Sequence, residues 1–199
     1  VALVYVFSAG WAALFRRVPE AMSAYLPWGA LVMAVITVPL FFGWSGLYPW
    51  AQPEIVASNP HLQHKAVYLN PLFFAIRAAL AFGVWIFFAR LILYHSRQQD
   101  RDGDLAHMRK NQTLSALFLV LFGVTFLFTS IDWIMSLEPE WYSTIFPIYH
   151  FAGLLLGGFA AMIVLIIQFQ EKGLLSGISD SHLYELARAL CASSLFWAY

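Results

Sequence analysis

Ser130–His150 reads SIDWIMSLEPEWYSTIFPIYH. Asp132 stands at the end of one long apolar run. A Glu-Pro pair and a tryptophan follow, and then a second apolar run that holds His150. In water such a stretch makes a helix–turn–helix. In lipid it makes a hairpin whose tip and upper walls carry the polar chemistry. The choice between the two turns on the solvent of the chain.

Composition identifies that solvent. Of 199 residues, 61% are hydrophobic and 11% charged, against about half and about a quarter in a soluble domain. Mean hydropathy is +0.69, so the bilayer is the natural surrounding for most of the chain. Formal net charge is zero, and no bulk charge steers it toward nucleic acid. The single cysteine, Cys191, excludes an internal disulfide framework and any cysteine-held iron–sulfur cluster. Eighteen Phe, nine Tyr and eight Trp suit interfacial aromatic belts. Residues 1–15 are apolar but shorter than the roughly 20 needed to span. No basic region precedes them and no small-residue cleavage site follows. LARALCASSLFWAY, from Leu186, opens another apolar run. The expectation is one transmembrane helical domain over 1–199, a fragment of a longer membrane protein.

Four spans are complete: about Tyr25–Gly43, Pro71–Tyr94, Thr113–Ser136 and Ser143–Phe169. Each is long enough to cross the core, the longer ones with tilt. A partial span lies at either end. The expected fold is an all-α polytopic helix bundle. Nine of the eleven Lys and Arg (Arg16, Arg17, Arg90, Arg97, Arg101, Arg109, Lys110, Lys172 and Arg188) fall on one side of these spans, and Lys65 and Arg77 on the other. The positive-inside rule puts the nine in the cytoplasm. An inner loop over 95–112 is then solvated and mixed in charge. An outer loop over 44–70, rich in Pro, Trp and Tyr, lies on the membrane surface or under a partner. The outer hairpin turn is 137–142, where Pro139 stops a continuous helix.

Ionisable groups inside spans are costly and face a partner or a wet cavity. At 1.5 Å per residue, Asp132 lies about 6 Å from the outer end of its helix, Arg77 about 9 Å and His150 about 10 Å. All three fall in the outer leaflet on consecutive spans. Two readings stay open for Asp132. It closes an ion pair with Arg77, or it accepts a proton, its pKa raised in partly dry surroundings, with His150 as relay. Glu138 is placed to reach back toward Asp132, and Glu140 sits in water or against a partner. His150 also suits plain packing. It is the one intramembrane histidine in this reading, with His61, His64 and His107 in loops, so no bis-histidine haem site forms. No zinc spacing, phosphate loop, dinucleotide fingerprint or nucleophile elbow is present. Gly153-Leu-Leu-Leu-Gly157 is a close-packing motif.

The block Asp132-Trp133-Ile134-Met135-Ser136-Leu137-Glu138-Pro139, followed by Trp141-Tyr142-Ser143-Thr144, resembles the signature of one membrane subunit of bacterial alternative complex III. That complex is a quinol:electron-acceptor (quinol:cytochrome c) oxidoreductase. The subunit, quinone-binding subunit 2, is related to polysulfide-reductase-type membrane anchors. Arg16-Arg17-Val18-Pro19-Glu20-Ala21-Met22, Leu47-Tyr48-Pro49-Trp50, and Lys65 with Tyr68-Leu69-Asn70, Phe73-Phe74 and Arg77 are similar to further family motifs, in order. Glu185-Leu186 and Phe196-Trp197-Ala198-Tyr199 match the opening of its next span, with Ala187–Ser194 a looser match. His150 is not part of the signature, and the family protein is considerably longer.

The resemblance implies a multi-pass subunit of the bacterial cytoplasmic membrane, in a respiratory or photosynthetic chain. Its partners would be a related quinol-binding membrane subunit, an iron–sulfur subunit, c-type cytochromes and membrane lipid, with no nucleic acid. A menaquinol-like quinol is the expected ligand, with no metal, haem or iron–sulfur cluster held by this chain. Asp132, Glu138 and His150 are the expected catalytic residues, with Asp132 accepting the proton. Arg77, Tyr68, Asn70 and Trp133 are the expected pocket. The rival readings are a proton-conducting half-channel and a non-catalytic scaffold. A closed Asp132–Arg77 pair with no cavity beside it favours scaffold, and an open pocket of quinone-head size favours binding.

Overall fold

The computed structural model describes residues 1–6, 15–44, 46–175 and 177–199. Among them every regular element is helical: α1 Ala2–Val6, α2 Arg17–Met22, α3 Leu26–Thr37, α4 Pro53–Ser58, α5 Pro60–Lys65, α6 Pro71–Asp102, α7 Leu105–Trp133, α8 Phe146–Glu171 and α9 Asp180–Ala198. Four helical runs are long and apolar enough to cross a membrane: Arg17–Phe42, Pro71–Asp102, Leu105–Leu137 and Phe146–Glu171. In none of them is more than 28% of the apolar stretch buried within the chain. Val35, Leu80, Val120 and Val164 all lie outward. Apolar helices with outward apolar faces need an apolar solvent. This is a multi-pass membrane protein.

Local sequence sets the boundaries. Pro39 tightens the end of the first span into a 3-10 turn, Val38–Phe42, and Gly43 at φ +66° stops it. Pro71 opens α6, where its missing N–H costs nothing. Asn70 caps the same turn by accepting the Phe73 N–H at 3.0 Å. The α6–α7 connection shrinks to Gly103, at φ +69°, and Asp104. The solvated segment expected over 95–112 is therefore helical except at those two residues. Its Arg, Gln, Ser and His residues are adequate helix formers, and a helix propagates cheaply once nucleated. The 44–70 segment likewise holds a 3-10 turn, Pro49–Ala51, then α4 and α5. In α9, Ser179 and His182 form a reciprocal cap, which places His182 in the first turn of the helix.

The chain divides into two compact units. One comprises Val1–Ala24, Phe88–Leu119 and Ile148–Tyr199, with a core of Phe15, Val18, Met162, Ile166 and Leu186. The other comprises Tyr25–Phe87 and Val120–Pro147, with a core of Met33, Leu40, Tyr48, Trp50, Leu62, Leu69 and Phe74. Helices α6 and α7 each contribute to both.

Candidate functional site

The second unit carries the polar hairpin. Asp132 is in the last turn of α7 and only 1% exposed. Arg77, less than two turns into α6, grips it with both arms. Arg77 Nε donates to Asp132 Oδ2 at 2.5 Å and Nη2 to Oδ1 at 3.2 Å. The same Nη2 donates to the Tyr68 carbonyl at 3.2 Å, and the guanidinium lies 4.0 Å over the Tyr68 ring. The Tyr68 hydroxyl lies near enough for the Asp132 charge to act on it. A bidentate, charge-assisted pair closed by a cation–π contact is a rigid arrangement. Of the two readings open for Asp132, the geometry is that of the closed ion pair.

The 44–70 segment is latched onto this hairpin. Tyr48 donates to the Trp133 carbonyl at 2.9 Å, and Trp50 Nε1 to Ser136 Oγ at 3.1 Å. Ser136 Oγ in turn donates to the Asp132 carbonyl at 2.5 Å. Lys65 Nζ donates to the Pro139 carbonyl at 2.5 Å, and Asn59 Nδ2 to Glu140 Oε1 at 2.6 Å. Burial, then the Asp132 charge, pushes the Tyr48 hydroxyl up to about 12. Burial also pushes Tyr68 up to about 12, with the Asp132 charge adding to it and Arg77 opposing. Both tyrosines stay protonated donors at any physiological pH.

Beside the pair opens a cleft of about 830 Å³. Its walls include His61, His64, Lys65 and Tyr68 from one side and Met135, Ser136, Glu140, Trp141 and Tyr142 from the other. Its size falls within the usual range for small-molecule sites. Asp132 does not line it; Tyr68 and Ser136 stand between.

The expected site residues separate on this geometry. Asp132, Arg77 and Tyr68 come together. Asn70 is adjacent but spent on capping, its Nδ2 donating to the Ala66 and Val67 carbonyls at 3.2 and 3.1 Å. It is a helix cap rather than a pocket donor. Trp133 faces the core, stacked on Phe82 with centroids 5.3 Å apart and edge-on to Trp85, so it does not line the cleft. Glu138 is exposed at the turn, and its side chain makes no ion pair with any described residue. Proline at 139 and the tight turn direct it outward rather than back to Asp132. His150 belongs to the other unit, half-buried in α8.

Other residues were not singled out from the sequence. His61, His64 and Lys65 share one face of α5 at i, i+3 and i+4, a pattern hidden while the segment is read as a loop. In the first unit, Glu20 is 3% exposed. It accepts from Arg17 Nη1 at 2.5 Å, Ser96 Oγ at 2.6 Å and Tyr5 at 3.2 Å. His107 lies on α7 rather than in a loop, its Nδ1 2.9 Å from that of His95 on α6, with Asp102 3.0 Å from its other nitrogen. No group of three or more metal-ligating side chains occurs among the described residues. Neither the known protein-family models nor the curated proteins searched give a match to this chain.

Proposed function

We propose that this chain is a membrane subunit of a quinol:electron-acceptor oxidoreductase of the alternative complex III type, in a bacterial cytoplasmic membrane. Its contribution is a quinone-binding cleft at the outer face. The observation that carries the reading is the cleft of about 830 Å³ whose wall residue Tyr68 is fixed by the buried Arg77–Asp132 pair. A quinol head needs aromatic and apolar walls, hydrogen-bond donors, and acceptors for the protons released on oxidation. Trp141, Tyr142, Met135 and Leu69 supply the first, and Tyr68 the second. His61 and His64, exposed on α5, present ring nitrogens on the cleft wall as acceptors. Oxidation of one quinol releases two electrons and two protons. The electrons leave to iron–sulfur and cytochrome c partners, and the protons pass through the histidines to outer water.

Asp132 has a different role in this proposal from the one its sequence position suggests. Both of its oxygens are held by Arg77, and Arg77 in turn holds the Tyr68 carbonyl and ring, so its part is to position Tyr68. The closed pair and the latched outer segment also support a scaffold role, and one experiment separates the two. A photoreactive quinone analogue is crosslinked to the assembled complex and mapped by peptide sequencing. Labelling within 61–69 or 135–142, lost in Tyr68→Phe with His64→Ala, supports binding. Labelling confined to a partner subunit overturns it and leaves the scaffold.

A further inference from the structure

The charges at the α6–α7 turn are unevenly engaged. Every acid there has a partner. Asp100 is paired by Arg16 and Arg17. Asp102 accepts from the Asp104 N–H at 2.9 Å and faces His107. Asp104 accepts from the Ala106 N–H at 2.8 Å. The cations differ: Arg90, Arg97, Arg101, Arg109 and Lys110 are all exposed, and none forms an ion pair with a described residue.

Their positions follow a pattern. Residues 90, 94, 97 and 101 are spaced by four, three and four, which is one stripe of a helix. Arg90, Arg97 and Arg101 share that stripe with Tyr94, itself 55% exposed. Lys110 on α7 acts on His95, which lies on another face of α6, so the stripe consists of α6 residues alone. Depth agrees. Helix α6 has 32 residues and α7 has 29, about 48 and about 44 Å at 1.5 Å per residue. The hydrocarbon core is about 30 Å. The apolar part of α6 ends near Tyr94, so its last eight residues and the first eight of α7 stand about 12 Å beyond it. That is the layer of lipid phosphates. An aromatic at the boundary with cations above it is the pattern of an interfacial anchor.

We propose that this stripe is a docking site for anionic phospholipid headgroups, with Arg97 and Arg101 holding the phosphate and Arg90 reaching up from the core edge. Two arginine forks hold one phosphodiester by charge-assisted, often bidentate bonds, and the clustered positive charge favours a headgroup that carries no cation of its own. The site is independent of the quinone cleft, which lies in the other unit.

The test uses the protein purified in detergent and equilibrated with equal phosphatidylcholine and phosphatidylglycerol, with bound lipid counted by native mass spectrometry. Phosphatidylglycerol is expected to be retained several-fold over phosphatidylcholine. Arg97→Gln with Arg101→Gln brings that excess down to near parity. Arg97→Lys with Arg101→Lys keeps most of it, and Arg188→Gln, whose arginine is already paired to Glu185, leaves it unchanged. Should the double glutamine variant fail to fold, the unmodified protein in 0.5 M salt serves instead, because exposed charges are screened there and the excess must collapse. Equal retention of the two lipids, an excess that survives the double substitution, or an excess indifferent to salt overturns the proposal.

Discussion

Arg77 and Asp132 meet through two parallel hydrogen bonds, 2.5 and 3.2 Å long, with the carboxylate 1% exposed. Removing one member leaves the other charged and dry. Arg77→Met alone is expected to cost about 3–5 kcal/mol, as for other broken buried pairs. Arg77→Met combined with Asp132→Leu is expected to restore most of that. Unfolding in detergent, followed by circular dichroism, measures the coupling. A cost below about 1 kcal/mol for the single change would show that the pair is solvated.

Ser136 links the 44–70 segment to α7 by accepting from Trp50 and donating to the Asp132 carbonyl. Ser136→Ala strands the indole N–H of Trp50, itself 4% exposed, at a cost of about 1–3 kcal/mol. Trp50→Phe in the Ser136→Ala background should then cost less than Trp50→Phe alone, since no donor is left to lose. Equal costs in the two backgrounds would rule the bond out.

Tyr48 and Tyr68, both pushed up to about 12, make a prediction about alkaline pH. A tyrosine whose folded pKa exceeds its unfolded value near 10 holds its proton more tightly when folded. Its stabilising contribution is full below about 10 and is lost as pH rises through about 12. Titration by ultraviolet absorbance should show a late-ionising class of tyrosines that includes these two. Tyr48→Phe and Tyr68→Phe should each remove one of them. If every tyrosine ionises together near 10, the environment described for these two is wrong.

Gly103 sits at φ +69° with open space where a Cβ would go. Gly103→Ala therefore meets no clash and costs only the left-handed backbone, about 1–2 kcal/mol. Gly103→Asn should cost less, because asparagine tolerates that conformation. A loss well above 2 kcal/mol on Gly103→Ala would mean the turn is packed against something.

The spans were legible because their residues leave no other solvent. The apolar runs after Pro71 and Thr113 exceed what any soluble core of this size would hold. The ends of α6 and α7 were not legible. Residues 95–112 lack an apolar run, and polarity alone does not distinguish a solvated loop from a solvated helix. The Asp132–Arg77 ion pair was one of two readings that depth arithmetic left open, and the sequence alone does not choose between it and a proton-accepting Asp132. Glu20 escaped notice for the opposite reason. It lies beside two arginines at the edge of an apolar stretch, where a carboxylate reads as solvated, and its burial depends on Tyr5 and Ser96, far off in sequence. Asn70 was read as a pocket donor because a pattern of residue types does not reveal that Pro71 begins a helix with Asn70 as its cap.

The latch between the 44–70 segment and the hairpin turn has a consequence for how the protein is made. Its bonds join residues 74 to 86 positions apart, with both spans of the α6–α7 pair in between. The 44–70 segment leaves the ribosome long before its partners exist. At about 5–20 residues per second, it waits roughly 4–16 seconds with Trp50 and Tyr48 uncovered. During that interval the bonds of the latch are unmade. Closure of the latch is thus timed by the arrival of Ser136 and Pro139, and a pause in translation there would delay it.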